Sequence, residues 1–300
     1  MTRSSRGFRW TVLAFAVSSL FTIAAFAHPG SGIVVDRQGQ IYFVDTGQGV
    51  WKIDSHGTLT RHAGPAFHWM TMDADGRFAK TQLPSGSDWE ITRAGTNPTL
   101  LLASDFPLAM GRDGNLYYPS PSPRGGLQVV RLMPSGQASV LAILPATMSN
   151  GPLRWLNGLA AGPDGSVYDT ENNAIRRITA QGRVSTVVAD IALAGCAQIP
   201  GMGANEQPFL RGLDVDASGI IYAAASGCGS VLKVTPEGRI SIVVQLQSPW
   251  SPTAVVVFGN DLYVLEYLHT ASENRPAWLP RVRKVSSDGK SAIIASVDRR

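Results

Sequence analysis

Residues 167–188 read VYDTENNAIRRITAQGRVSTVV, and their pattern is the clearest indication of the fold. It contains three short segments that suit β-strands, residues 167–169, 175–178 and 184–188, separated by polar turns. The turn before it is Pro163-Asp164-Gly165. Asp-Gly pairs suit tight hairpins, because glycine accepts positive φ and aspartate bonds its own backbone. With the apolar segment that precedes this turn, the stretch predicts one unit of four antiparallel strands.

The same unit recurs along the chain. Apolar first strands precede the turns, most second strands carry an aromatic residue, and the third strands alternate apolar and charged residues, as a half-solvated sheet does. Units of about 45 residues are typical of propeller blades. The chain is therefore predicted to be all-β, a six-bladed β-propeller of four-stranded antiparallel blades. A solenoid is the alternative, but the connections are irregular and capping repeats are missing. The six predicted first turns are 36–39, 73–76, 112–114, 163–165, 216–219 and 258–261.

The first 27 residues have the pattern of an export signal. Arg3, Arg6 and Arg9 precede an apolar run over 10–24, and small residues follow at Ala25 and Ala27. An uncleaved membrane anchor is the alternative reading. We expect a signal peptide over 1–27 and a single propeller over 28–300, placed in the periplasm or outside the cell. The predicted blades are 28–64, 67–104, 105–146, 155–190, 209–246 and 250–297.

The charge balance argues against nucleic-acid binding. The chain has 26 Lys and Arg against 22 Asp and Glu, and loss of the three signal arginines leaves a nearly neutral protein. No cluster of basic residues remains that would suggest a nucleic-acid footprint. We expect a monomer that makes no membrane contact beyond its signal sequence.

The stretch 167–188 resembles an NHL repeat, and residues 219–238 repeat the theme. Asp169 departs from the pattern, because sister blades have Phe43 or Val264 at that position. Ile41-Tyr42-Phe43-Val44-Asp45 and Asn157-Gly158-Leu159 also resemble the gluconolactonase/regucalcin family of propellers. The resemblance implies a six-bladed fold, and this fold carries many functions.

A ring of mostly polar residues is predicted at one mouth of the central channel, where the innermost strands begin. Three acids that end second strands, Asp45, Glu171 and Glu266, open on the same face and are expected to be solvated; Glu266 is retained as a candidate ligand contact. The long loops fall there too, and loops on a rigid scaffold commonly carry function. The predicted ring consists of Ser31, His68, Phe106 with Asp105 beside it, Asn157, Arg211 and Thr253.

The resemblance also implies a divalent metal, such as calcium, held by a Glu, an Asn and an Asp at this mouth. Asn157 matches the Asn position. Pro29-Gly30-Ser31 stands where the Glu is expected, and Arg211 stands at the Asp position, where a cation would repel the metal. The usual lactonase mechanism is therefore disfavoured, and a bound metal rests on Asn157 alone.

Two cysteines, Cys196 and Cys228, are predicted to form a disulfide, the simplest arrangement in an oxidising compartment. The alternative is two buried thiols. The bond would pin the 190–209 loop beside the channel mouth.

These observations favour a non-catalytic propeller that binds a small molecule at the loop-rich mouth. Arg211 favours an anionic or carboxylate-bearing ligand, because guanidinium groups pair with carboxylates. The first alternative is a hydrolase of lactones or esters with an altered metal site, which Asn157 supports. The second is a protein–protein scaffold that uses the flat faces.

Overall fold

The structure is a computed structural model. It describes residues 29–86, 89–104, 106–144, 156–171, 173–193, 196, 208–268 and 278–298. They form six antiparallel sheets, which are the blades. The strands are, blade by blade, β1 (Ile33–Val35), β2 (Ile41–Asp45), β3 (Gly49–Ile53), β4 (Leu59–His62); β5 (Trp69–Asp73), β6 (Ile91–Ala94), β7 (Thr99–Ala103); β8 (Ala109–Met110), β9 (Leu116–Pro121), β10 (Leu127–Leu132), β11 (Ala138–Ile143); β12 (Gly158–Ala161), β13 (Val167–Glu171), β14 (Ala174–Ile178), β15 (Val184–Val188); β16 (Leu210–Val215), β17 (Ile221–Ala225), β18 (Ser230–Val234), β19 (Ile240–Gln245); β20 (Trp250–Phe258), β21 (Asp261–Leu268), β22 (Pro280–Val285) and β23 (Ser291–Ser296).

The first strand of each sheet lies innermost, and these six strands contact one another in the ring order β1, β5, β8, β12, β16, β20 and back to β1. Five sheets have four strands in sequence order. The predicted all-β, six-bladed propeller is therefore confirmed. The export signal over 1–27 lies outside the described residues. Within the described part of the chain, no helix has the length and apolar character needed to cross a membrane.

The second blade differs from the other five. Its described strands number three, and β7 lies between β5 and β6, whereas the sequence predicted a four-stranded blade like the others. After β5 the chain does not close a hairpin, because the Asp73 carboxylate accepts the backbone N–H groups of Arg77 and Phe78 at 3.0 and 2.7 Å and Phe78 is buried. All five residues of β7 are buried, which suits a strand covered on both faces.

The aspartate turns form as predicted in the regular blades. Asp36 accepts the backbone N–H of Gln38 and of Gln40, both at 2.9 Å, and Gly39 takes a φ of 77°. Asp216 binds its own turn in the same way. A carboxylate that satisfies two backbone donors and a glycine at positive φ explain why this short sequence pattern repeats.

The outer edges of the blades are irregular. In four blades the register between the third and fourth strands shifts once. Such bulges increase the local twist and make a sheet edge a poorer template for pairing with another chain.

Small residues allow the innermost strands to approach one another. A Cβ at Gly158 would lie 2.4 Å from the carbonyl oxygen of Arg211 in the next blade, and one at Gly212 would lie 2.8 Å from the Cβ of Ala254. Real Cβ atoms do not come so close, so these positions require glycine. The narrow axis of the ring therefore depends on glycine at the strand starts.

Replacement of Gly158 by alanine is expected to lower the free energy of unfolding by about 1–3 kcal/mol, the usual cost of overpacking. The strain arises because the nearest atom is a backbone oxygen, which cannot move without shifting a strand. Urea unfolding of Gly158→Ala and of Gly86→Ala measures the effect, since a Cβ at Gly86 would meet nothing within 4 Å. Equal losses in the two variants would contradict the close-approach argument.

Candidate functional site at the channel mouth

The first predicted rim residues are linked by backbone hydrogen bonds between blades. The Ser31 N–H donates to the carbonyl oxygen of His68 at 2.7 Å, and the His68 N–H donates to that of Ser104 at 3.3 Å. His68 is buried, and its Nδ1 hydrogen-bonds the same Ser104 carbonyl. Because a carbonyl only accepts, this contact requires the proton on Nδ1. Ser31 and His68 are thus brought together, as the ring predicted.

Asn157 and Arg211 are neighbours through Thr170. The Asn157 N–H donates to the Thr170 carbonyl at 3.0 Å, and the Thr170 hydroxyl donates to the Arg211 carbonyl at 2.7 Å. Asn157 is half-buried. The structure thus joins the starts of the fourth and fifth blades beside the channel.

The Arg211 side chain crosses the mouth. Its Nη2 donates to the carbonyl oxygen of Pro29, at 2.9 Å. Arg211 belongs to the fifth blade and Pro29 leads into the first, so the guanidinium spans the start of the sixth. Only 4% of Arg211 is exposed, and burial lowers the pKa of its guanidinium to about 10. A desolvated positive charge interacts strongly with an anion, because the surrounding dielectric is low.

Two hydroxyls near Pro29 are available to a ligand. The Ser31 Oγ and the Thr46 Oγ1 are buried and have no hydrogen-bond partner among the described residues. They flank Gly30, where a Cβ would lie 3.1 Å from the Tyr267 hydroxyl and 3.3 Å from the Thr46 Cγ2. Buried hydroxyls normally find a partner. These two therefore mark a place where a polar ligand or water can bind.

Thr253 and Glu266 lie in the sixth blade and are fully buried. The Thr253 hydroxyl donates weakly, at 3.5 Å, to the Leu265 carbonyl. Glu266 accepts from Arg281 Nε at 2.5 Å and also from Arg283. The structure therefore gives Glu266 two arginine partners inside its own blade, and its role as a ligand contact stays a prediction.

The expectation that the second-strand acids are solvated is wrong. Asp45, like Glu266, is fully buried, and it accepts the N–H of Gly47 at 2.8 Å and the Trp51 Nε1–H at 3.3 Å. Glu171 lies 3.1 Å from Arg176 Nη1, with 12% of its side chain exposed. Each acid binds a long side chain of the adjacent third strand. A single sequence pointed to the acids but not to these partners, which lie across the sheet.

An ion pair that sequence reasoning missed lies just below the mouth in the fourth blade. Asp169 is fully buried, and it accepts from Arg176 Nε at 2.9 Å and Nη2 at 2.5 Å. The two residues are directly opposite in the β13–β14 register. In the first blade the same pair of positions holds Phe43 and Trp51. Two positions that are apolar in the first blade carry opposite charges in the fourth, and this difference between repeats is the sequence signal that could have predicted the ion pair.

The predicted disulfide is present, with the Cα atoms of Cys196 and Cys228 4.1 Å apart. Cys228 belongs to a short 3-10 helix, Ser226–Cys228, between β17 and β18. The Ser251 hydroxyl donates to the Ser226 carbonyl at 2.6 Å. The bond thus attaches the segment at Cys196 to the junction of the fifth and sixth blades.

The described residues do not fit the metal that the resemblance implies. Among them, no group of three or more His, Cys, Asp or Glu side chains could hold a metal ion. Ser31 and Arg211 occupy the places of two acidic ligands, and a desolvated guanidinium beside Asn157 repels a cation. Asp105, the remaining predicted rim acid, lies outside the described residues.

Comparison with known proteins finds a curated relative that matches part of the chain. No protein-family model matches the chain. It is 30% identical over 164 residues to a 6-deoxy-6-sulfogluconolactonase of Pseudomonas putida, a match that covers 52% of this chain and 49% of the relative. The chain thus spans about half the length of the curated relative it matches.

Two solved structures show the same architecture. The calcium-binding protein regucalcin of Agrobacterium tumefaciens has a TM-score of 0.54 at 18% identity, over 79% of this chain and 81% of that one. A protein assigned provisionally as a gluconolactonase has a TM-score of 0.52 at 20% identity, over 78% and 84%. The predicted resemblance to the gluconolactonase/regucalcin propellers is therefore confirmed, as a likeness of fold.

Proposed function

We propose that this protein binds a small anionic ligand, of the sugar-acid type, at the loop-rich mouth of the propeller. The observation that carries the proposal is the buried Arg211 guanidinium, held across the mouth against the Pro29 carbonyl. At the start of the first blade, two residues after Pro29, Ser31 offers a buried hydroxyl. A guanidinium and a hydroxyl are suitable donors to a carboxylate or sulfonate.

The curated relative supports this ligand class. Its name describes an enzyme that acts on a sulfonated gluconolactone, a molecule with a sugar-acid frame and a permanent negative charge. Arg211 would bind the charged group. Asn157, half-buried beside Arg211, would bind ring or chain hydroxyls, since an amide both donates and accepts.

Replacement of Arg211 by alanine is expected to abolish binding of such a ligand and to leave the fold intact. Titration of the protein with D-gluconate and with 2-hydroxyethanesulfonate, followed by calorimetry, measures this, and neutral glucitol serves as the uncharged comparison. Arg239→Ala is the matched control, because Arg239 lies in the same blade and its side chain is 80% exposed. Equal affinity of Arg211→Ala and wild type for both anions would refute the role of Arg211.

Hydrolysis of a lactone is the second candidate function, and the match to the sulfogluconolactonase favours it. Glucono-1,5-lactone added to the same wild-type protein distinguishes the two functions. Proton release above the spontaneous rate would indicate a hydrolase, and binding of gluconate without proton release would indicate a binding protein. Suppression of the activity by a chelator would identify a metal that the described residues do not hold.

We also propose that the protein acts outside the cytoplasm as a monomer. The signal-like pattern over 1–27 supports export, and so does the disulfide, because such bonds persist in oxidising compartments.

A further inference from the structure

The central channel contains a carboxylate at the end away from Arg211. A cavity of about 140 Å³ runs between the six innermost strands, and Asp214 is the one charged residue among the described residues that line it. Most of the lining residues are apolar, with Trp69, Met70 and Met110 among the larger ones, but polar atoms form more of the exposed wall than apolar atoms do. Asp214 lies five residues before the turn glycine Gly219, so it belongs to the half of the channel that faces the first hairpin turns.

The Asp214 carboxylate bridges two blades. Its Oδ1 accepts the Val215 N–H and its Oδ2 accepts the Val257 N–H of the sixth blade, both at 2.8 Å. Each oxygen keeps a further lone pair, since a carboxylate can accept about four hydrogen bonds. The carboxylate therefore retains capacity for a donor that enters the channel.

The second blade makes the same bridge without a charge. Thr71 lies five residues before its own turn glycine, Gly76, and its hydroxyl oxygen accepts the Met110 N–H of the third blade at 3.2 Å. The second and fifth blades are opposite in a ring of six, and both Thr71 and Asp214 line the cavity. A neutral hydroxyl is therefore sufficient for the bridge, and the charge of Asp214 is not explained by it.

Ionisation of Asp214 is unfavourable at this position. Asp214 is partly exposed to the channel, and the burial of its carboxyl among protein atoms raises the pKa to about 6. Of the neighbouring charged groups, Asp216 raises the pKa further and the exposed Arg112 lowers it. A desolvated carboxylate that lines a cavity is typical of a ligand site.

We propose that the channel binds a small alkylammonium ion, with its nitrogen between the Asp214 carboxylate and the Thr71 hydroxyl and its alkyl chain among the apolar residues that line the channel. The side chains that line the cavity supply oxygen only from Asp214, Thr71 and Ser31. A calcium ion, which takes about six to eight oxygen ligands, would therefore need most of them from backbone carbonyls or water. An ammonium group needs about three acceptors, and its alkyl chain gains from burial against Met70 and Met110. This site is separate from the anion site at Arg211.

Titration with n-butylammonium chloride, followed by calorimetry, tests the proposal, and 1-butanol is the neutral comparison. The decisive variant is Asp214→Thr, which copies the bridging residue of the second blade and so keeps an acceptor for the Val257 N–H. We expect butylammonium to bind the wild type at least about tenfold more tightly than the variant, because a charge-assisted hydrogen bond is lost. The substitution should leave the affinity for 1-butanol unchanged.

The pH dependence supplies a second readout. Because the ionised carboxylate binds the cation and the pKa of Asp214 is about 6, the affinity should be nearly complete at about pH 7, about half of that at pH 6, and about tenfold lower at about pH 5. Equal affinity of butylammonium for wild type and Asp214→Thr, or no saturable binding to the wild type, would overturn the proposal. If circular dichroism shows that the variant does not fold, the wild-type pH titration and the butanol comparison still decide, since a pH-independent affinity contradicts the site.

Discussion

Replacement of Arg176 by alanine is expected to lower the free energy of unfolding by about 3–5 kcal/mol, the cost of leaving a buried carboxylate without its cation. Asp169 is fully buried and takes two hydrogen bonds from this guanidinium. Glu171 also loses its contact with Arg176. Chemical unfolding with urea, followed by tryptophan fluorescence, measures the loss.

A double variant separates the ion pair from simple packing. Asp169→Val with Arg176→Leu replaces the charges by the residue types that sister blades have at corresponding positions, Val264 in the sixth and Leu232 in the fifth. Buried ion pairs are often replaced by apolar residues at little cost. The double variant should therefore be more stable than Arg176→Ala. If it is equally unstable, the loss comes from packing of the arginine side chain and the argument from charge is wrong.

Removal of the disulfide is expected to lower the free energy of unfolding by about 3–4 kcal/mol, since the bond closes a loop with a sequence separation of 32 and loop closure restricts the unfolded chain. Replacement of both cysteines by alanine, and reduction of the wild type with dithiothreitol, should give the same urea midpoint. Alanine is chosen because Cys228 is buried.

The double alanine variant also controls for the reductant. Dithiothreitol should leave its urea midpoint unchanged, whereas it should lower that of the wild type. A wild type whose stability does not respond to complete reduction, checked by counting thiols, would show that the bond does not stabilise the fold. Gluconate titration of the same variant would then report whether the Cys196 segment contributes to the mouth.

The second blade illustrates where sequence reasoning ends. The first turn there has the Asp–Gly pattern of its sister blades, and the turn hydrogen bond forms between the Gly76 N–H and the Asp73 carbonyl. The chain then buries Phe78 instead of returning along β5. Two candidate strands follow, and their order in the sheet depends on which is better covered. Burial of these strands depends on contacts with the neighbouring blades, so the sequence of the segment alone does not predict the strand order.

The repeat, the turns and the pairing of the cysteines could be predicted from the sequence, because the turns form from local bonds and the chain has two cysteines to pair. Asp36 and Gly39 form their turn from local bonds alone. The side-chain contacts between blades could not be predicted from the sequence and are known only from the tertiary structure. It placed the Arg211 guanidinium against Pro29, 182 residues away, and it gave Asp214 a backbone donor from the sixth blade. These contacts exist because closure of the ring brings strands that are distant in sequence to one narrow axis. A charged side chain there is desolvated, so it must hydrogen-bond groups of the neighbouring blades.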